Sequence, residues 1–227
     1  MYKQLTTLFV FSLAFAGTTA IKAGNSNGNI STNLTSITTA KGTLSPMAYI
    51  PSDKNIYYAL YAIKCGENFR PEDTVGYTSD ADSAGPFQQR ISEYMKKETT
   101  LGKIAFKIMG DEYDKVFTAS TVEKVNAFNR GDTSLRNDIN NLADRLVGIH
   151  VKTGLFGYIA EQRLKNEGIY DTFLKTNFAS DTIDRYLDLA VNSQRPLASE
   201  YGRWKERSRP CLTYAYENKF YEFQSLK

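Results

Sequence analysis

The acidic residue best placed for chemistry is Glu67. It follows Cys65 and Gly66 at the end of a stretch with helical periodicity, stands two residues before the apolar Phe69, and opens a long polar segment that runs to Pro86. The dipole at a helix C-terminus and partial burial beside an aromatic ring both disfavour the carboxylate, so such a group holds its proton toward neutral pH. That is the property a glycosidase acid requires. The polar segment closes in Ser83-Ala84-Gly85-Pro86-Phe87-Gln88, where Gly and Pro set a tight turn and Gln88 offers an amide that can face Glu67. A third polar stop, Ala127-Phe128-Asn129-Arg130-Gly131, ends a later helix-like run. Each element also has a plain structural reading: a solvated acid at Glu67, a turn with an N-terminal proline at Gly85-Pro86, and a helix stop at Gly131.

Glu67, the Gly-x-x-Gln of Gly85 to Gln88 and the Ala127–Gly131 segment occur in the order in which the lysozyme-like lytic transglycosylases carry their signature. That signature is a helix ending in Glu-Ser, a polar loop, Gly-x-x-Gln, and then Ala-Tyr-Asn-x-Gly. The chain resembles this family over about residues 56–131. It departs from the pattern at Asn68, where the family has Ser, in a longer loop, and at Phe128, where the family has Tyr. The resemblance implies a lysozyme-like helical core and a peptidoglycan substrate. Glu67 would be the catalytic acid, Gln88 and Asn129 would hydrogen-bond the glycan, and Phe128 would pack on a sugar face. Glu67 would protonate the oxygen between N-acetylmuramic acid and N-acetylglucosamine, the neighbouring acetamido group would stabilise the developing charge, and a 1,6-anhydro ring would close. A hydrolytic outcome needs a second carboxylate across the bond, for which Asp73, Asp80 and Asp82 are the nearest. The reading left open beside this one is an exported, non-enzymatic helical binding protein: a secretion-system component, an effector or an inhibitor with a protein partner.

Other chemistries find less support. The single histidine, His150, lies in the apolar run Leu146 to Val151 and reads as a core residue. With one histidine and two cysteines the usual zinc ligand sets cannot be assembled, so neither metal nor other cofactor is expected. No serine stands in a nucleophile-elbow context and no glycine-rich phosphate loop occurs. Trp204 is flanked by Arg203, Lys205, Arg207 and Arg209, a cluster that reads more simply as a solvated basic helix end than as a site for an acidic partner. A formal charge of +3 is too weak a bias for nucleic acid.

The elements that must position these residues begin after an export signal. Lys3, the apolar stretch Leu8 to Ala16, and the small residues Gly17, Thr18 and Ala20 have the order of a signal peptide, cleaved after Ala20 with Ala16 and Ala23 as alternatives. The apolar run is too short to span a membrane, so residues 1–20 are expected to be removed and the mature chain to carry no membrane span, placing it in the periplasm or outside the cell. Residues 21–50, rich in Gly, Asn, Ser and Thr, read as a flexible leader, with two glycosylation triplets at Asn29 and Asn33 that matter only in a eukaryotic host. Residues 51–227 form one mainly α domain: a first helix capped by Ser52 and ending near Gly66, then helices at Phe87–Lys97, Leu101–Met109, Thr121–Asn129, Ser134–Val147, Leu155–Asn166, Asp181–Asn192, Pro196–Glu206 and Leu212–Gln224. Tyr214, Tyr216, Phe220, Tyr221 and Phe223 recur at helical spacing and read as a buried face. In an oxidising compartment the two cysteines are expected to form a Cys65–Cys211 disulfide between the first helix and the C-terminal segment, the alternative to which is a pair of free buried thiols.

Overall fold

Residues 56–66 carry tyrosine, alanine and aliphatic side chains around the whole circumference of a helix rather than along one stripe. A helix apolar all round belongs inside a bundle. The computed structural model places α1 (Lys54–Glu67) there, with Ile56 through Gly66 all buried. The model describes residues 37–39, 42–44, 47–67, 82–194 and 201–225. The expected signal peptide, most of the expected leader, Asn68, Phe69, Asp73, Asp80 and Pro196 lie outside these residues.

Among the described residues the fold is mainly α, as the periodicity predicts, with ten α-helices and four strands of two or three residues. The first helix starts one residue later than expected. Its cap is Asp53, whose Oδ1 accepts the Asn55 and Ile56 backbone N–H groups at 2.7 and 3.3 Å. Around α1 pack α6 (Leu155–Asn166), α7 (Tyr170–Lys175), α8 (Ile183–Gln194), α9 (Tyr201–Glu217) and α10 (Phe220–Ser225). Polar ties fix their register. Asn55 donates to the Leu174 carbonyl and accepts from the Phe178 N–H, Tyr57 donates to Gln224, and Gln224 donates to the Met47 carbonyl. On the other side lie α2 (Thr100–Met109), α3 (Glu112–Val116), α4 (Ala119–Asn129) and α5 (Arg136–Thr153), where Thr99 caps α2 and Thr118 caps α4.

Three expectations are corrected. The core begins before Pro51, because Met47 and Tyr49 are buried; a small antiparallel hairpin, β1 (Ile37–Thr39) with β2 (Gly42–Leu44), precedes them. Tyr49 lies across Gly157 of α6, where a Cβ would stand 2.1 Å from its own, and its hydroxyl donates to Glu161. The helix expected at Phe87–Lys97 is instead a strand followed by a 3₁₀ turn, for reasons given below. Pro210 does not divide two helices. It removes one N–H from α9, while burial of Trp204, Ser208, Cys211 and Leu212 along one face keeps the helix continuous. The short helices α3 and α7 have no sequence pattern long enough to announce them.

Candidate functional site

Glu67 is the last residue of α1 and is half-buried. The two residues before it are held from one side by α9. Cys65 is joined to Cys211 across a Cα–Cα distance of 5.8 Å. Gly66 lies under the Trp204 indole, where a Cβ would come within 1.6 Å of the ring, and its carbonyl accepts from Arg207. Only glycine admits so close an approach. The helix turn that presents Glu67 is thus fixed covalently, sterically and by a hydrogen bond at consecutive residues.

The Gly-x-x-Gln segment forms the turn of a second hairpin, β3 (Ser83–Ala84) with β4 (Gln89–Arg90), paired Ser83 to Arg90 and Ala84 to Gln89. Two positive-φ residues make the turn, Gly85 at +76° and Gln88 at +45°. Gly85 also needs its bare Cα, because a Cβ there would sit 2.3 Å from the Phe156 ring. Asp82 closes the base: its carbonyl accepts the Ile91 N–H at 2.9 Å and its Oδ2 accepts the Ser92 N–H at 2.7 Å. Those bonds tie residues 91 and 92 back to residue 82, which is why a helix cannot start at Phe87. After the hairpin only a 3₁₀ turn, Ile91–Glu93, forms, and α4 packs against it.

The hairpin packs on α5 and meets the penultimate turn of α1 at a small cavity. Ile63, one turn before Glu67, shares a cavity wall with Phe87 and Gln89 of the hairpin and with Ala160, Arg163, Leu164 and Glu167 of α6. Arg163 bonds Glu167 at 3.3 Å and reaches Glu93 at 3.6 Å, so the cavity rim is an ion-paired strap from α6 to the residue after the hairpin. A larger cleft of about 230 Å³ lies elsewhere, between α4 and α5, and is crossed by the Lys124–Asp138 ion pair.

The other expected site residues are placed as follows. The Gln88 amide nitrogen turns back to the Gly85 carbonyl at 2.9 Å. Phe128 is buried, with the Arg136 guanidinium 5.3 Å from its ring centre, so its face is covered by protein. Asn129 is exposed at the end of α4. Asp82 is wholly buried in its hairpin role. His150 is a core residue, its Nδ1 accepting the Phe156 N–H at 3.1 Å. Trp204 belongs to the core, and two of its basic neighbours pair with α8: Lys205 with Asp188, at 2.5 Å, and Arg209 with Asp184. Among the described residues no group of three or more His, Cys, Asp and Glu side chains is disposed to hold a metal ion, and no helix is long and apolar enough to cross a membrane.

Sequence reasoning passed over Gln89, Arg163 and Glu167, and read Arg207, which donates to the Gly66 carbonyl, only as part of a solvated basic helix end. The Arg163–Glu167 pair at i, i+4 is visible in sequence only as an ordinary helix-surface pair. Comparison with known proteins adds no neighbour. No family model, curated protein or solved structure matches this chain. The functional reading therefore rests on the geometry.

Proposed function

We propose that this chain is an exported, peptidoglycan-cleaving lysozyme-like glycosidase or lytic transglycosylase in which Glu67 is the single general acid and base. The observation that carries the reading is the convergence of two motif elements far apart in sequence. Ile63, one turn before Glu67, and Phe87 and Gln89 of the hairpin border the same small cavity, so the two elements approach each other, although Glu67 and Gln88 do not themselves line it. In this reading Glu67 donates its proton to the glycosidic oxygen, then takes one back as the sugar's own hydroxyl closes an anhydro ring or as water attacks. The disulfide between buried cysteines is compatible with an oxidising compartment outside the cytoplasm, and so supports the export reading of residues 1–20.

A second observation favours the non-enzymatic alternative. Gln88 is engaged with Gly85 and Phe128 is covered by Arg136, so two of the residues the family would use on sugar already have roles in turn and core. An exported helical binding protein needs nothing more of them.

Incubation of purified protein with peptidoglycan sacculi separates the readings. Under the enzyme reading wild type releases muropeptides and Glu67→Gln, which keeps the side chain's size, loses about 10²–10⁴-fold in rate at unchanged helical content. Anhydro ends identify a transglycosylase and reducing ends a hydrolase. An inactive wild type, or equal release by both proteins, overturns Glu67 catalysis.

A further inference from the structure

Gln89 is almost wholly buried, at 2% exposure, yet neither its Oε1 nor its Nε2 hydrogen-bonds to a protein group. Buried amides in folded proteins find partners, because a donor and an acceptor removed from water and left unmet are costly. Gln89 borders the cavity between α1, the β3–β4 hairpin and α6. Its apolar walls are Ile63, Phe87, Ala160 and Leu164, and its rim is Arg163 with Glu167. The volume decides what fits. The cavity measures about 10 Å³, the space of one water molecule, and a sugar substituent or a buffer ion needs several times more.

We propose that this cavity is a binding site for one internal water, and that this water fastens the hairpin to α6. A primary amide can close a ring with a single water, which accepts from the Nε2–H and donates to Oε1. That leaves the water one proton and one lone pair, matched by the Glu167 carboxylate and the Arg163 guanidinium on the rim. The water then has between two and four polar partners, the number typical of conserved internal waters. It acts beside the Arg163–Glu93 ion pair, so the hairpin is held to α6 both at Gln89 and just beyond its second strand. The proposal does not depend on the reaction, if any, that the protein catalyses.

The test combines location with thermodynamics. In a high-resolution crystal structure of the wild-type protein, density for one water is expected within hydrogen-bonding distance of both Gln89 amide atoms. Gln89→Met keeps the length of the side chain and removes both polar atoms. It is expected to lower Tm and to speed deuterium exchange of the hairpin amides by at least about tenfold, with less change in α8 and α9. A cavity without water in the wild-type crystal overturns the proposal. So does a rise in Tm for Gln89→Met, the sign expected if the amide is simply unsatisfied. Displacement of the density by saturating N-acetylglucosamine also overturns it, by making the cavity a sugar pocket. The wild-type measurement stands alone if the variant does not fold.

Discussion

Replacing both Cys65 and Cys211 with alanine tests how far α9 is fastened to α1 by the chain rather than by packing. The bridge closes a loop of 146 residues. In the chain-entropy model a loop of that length removes about 17 cal/mol/K from the unfolded ensemble, or about 5 kcal/mol at 25 °C, the upper end of what loss of a native disulfide costs. For a chain of this size that is a fall in Tm of roughly 10–20 °C. The native state should survive, because Trp204 still covers Gly66 and Arg207 still donates to the Gly66 carbonyl. The loss should therefore arise mainly in the unfolded state, which without the cross-link exposes more surface and raises the urea m-value. Urea unfolding of wild type and double variant, followed by circular dichroism, measures both quantities. A stability difference below about 1 kcal/mol, or a fall of several kcal/mol at unchanged m, would refute the reasoning.

Gly66→Ala and Gly148→Ala make the same chemical change and should have opposite signs. At Gly66 the new methyl meets the Trp204 ring, so a loss of about 1–3 kcal/mol is expected from overpacking. At Gly148, in α5, nothing lies within 4 Å of the new Cβ, so a gain of about 0.5–1 kcal/mol is expected from helix propensity; paired thermal melts decide, and equal effects would count against the close approach at Gly66. Alkaline pH supplies a further check. Burial, with Asp82 and Glu93 adding to it, holds the Tyr94 phenol far above its ordinary range; burial, with Glu98 and Asp114, pushes Tyr113 up to about 12; and burial also raises Tyr58 and Tyr186. Because these folded-state values are raised, the stability they contribute is complete below the ordinary tyrosine pKa of about 10 and is drawn down as pH climbs from there through the folded values. Absorbance at 295 nm should show these buried tyrosines ionising only well above the ordinary tyrosine range, in step with loss of helix. A single wave near pH 10 with the helical signal intact would contradict the burial of these rings.

The helical class was legible because most elements are long and their apolar residues recur at helical spacing. Leu155–Asn166 is found at its expected ends, and α5 runs on past Val147 through buried His150 to the left-handed Gly154. For α1 the spacing of Ile56, Leu60 and Ile63 with Tyr57 and Tyr61 marked a helix, and the burial of Ile56 through Gly66 shows that it is central. What remained illegible was set by single contacts between distant residues. Pro210 reads as a boundary until the burial of Trp204 and Cys211 on either side of it is known. The start of the domain reads as Pro51 until Tyr49 is seen lying on Gly157. Short helices such as α7 owe their form to what they pack on, and carry no periodic signal of their own.

The candidate site turns on which of two adjacent glutamines faces inward, and that depends on the backbone more than on the residues. Read as the start of a helix, residues 87–97 put Gln88 at the opening of the element and on the side of Glu67. Read as a hairpin, the same residues put Gln88 in the turn, at positive φ, and Gln89 at the start of the second strand. The hairpin forms because Asp82 captures the Ile91 and Ser92 N–H groups and because Gly85 accepts a positive φ beneath Phe156. Gln89 then turns inward between α1 and α6, while Gln88 caps the turn it helps to make. Gly85, Ile91 and Ser92 are near the glutamines in sequence, but Asp82, Phe156 and the cavity walls on α1 and α6 are not, so no local pattern could have chosen between them. If the protein acts on glycans, its contacts with substrate near Glu67 depend on the position of this hairpin, and hence on Gln89, Glu93 and Arg163 as much as on the motif glutamine itself.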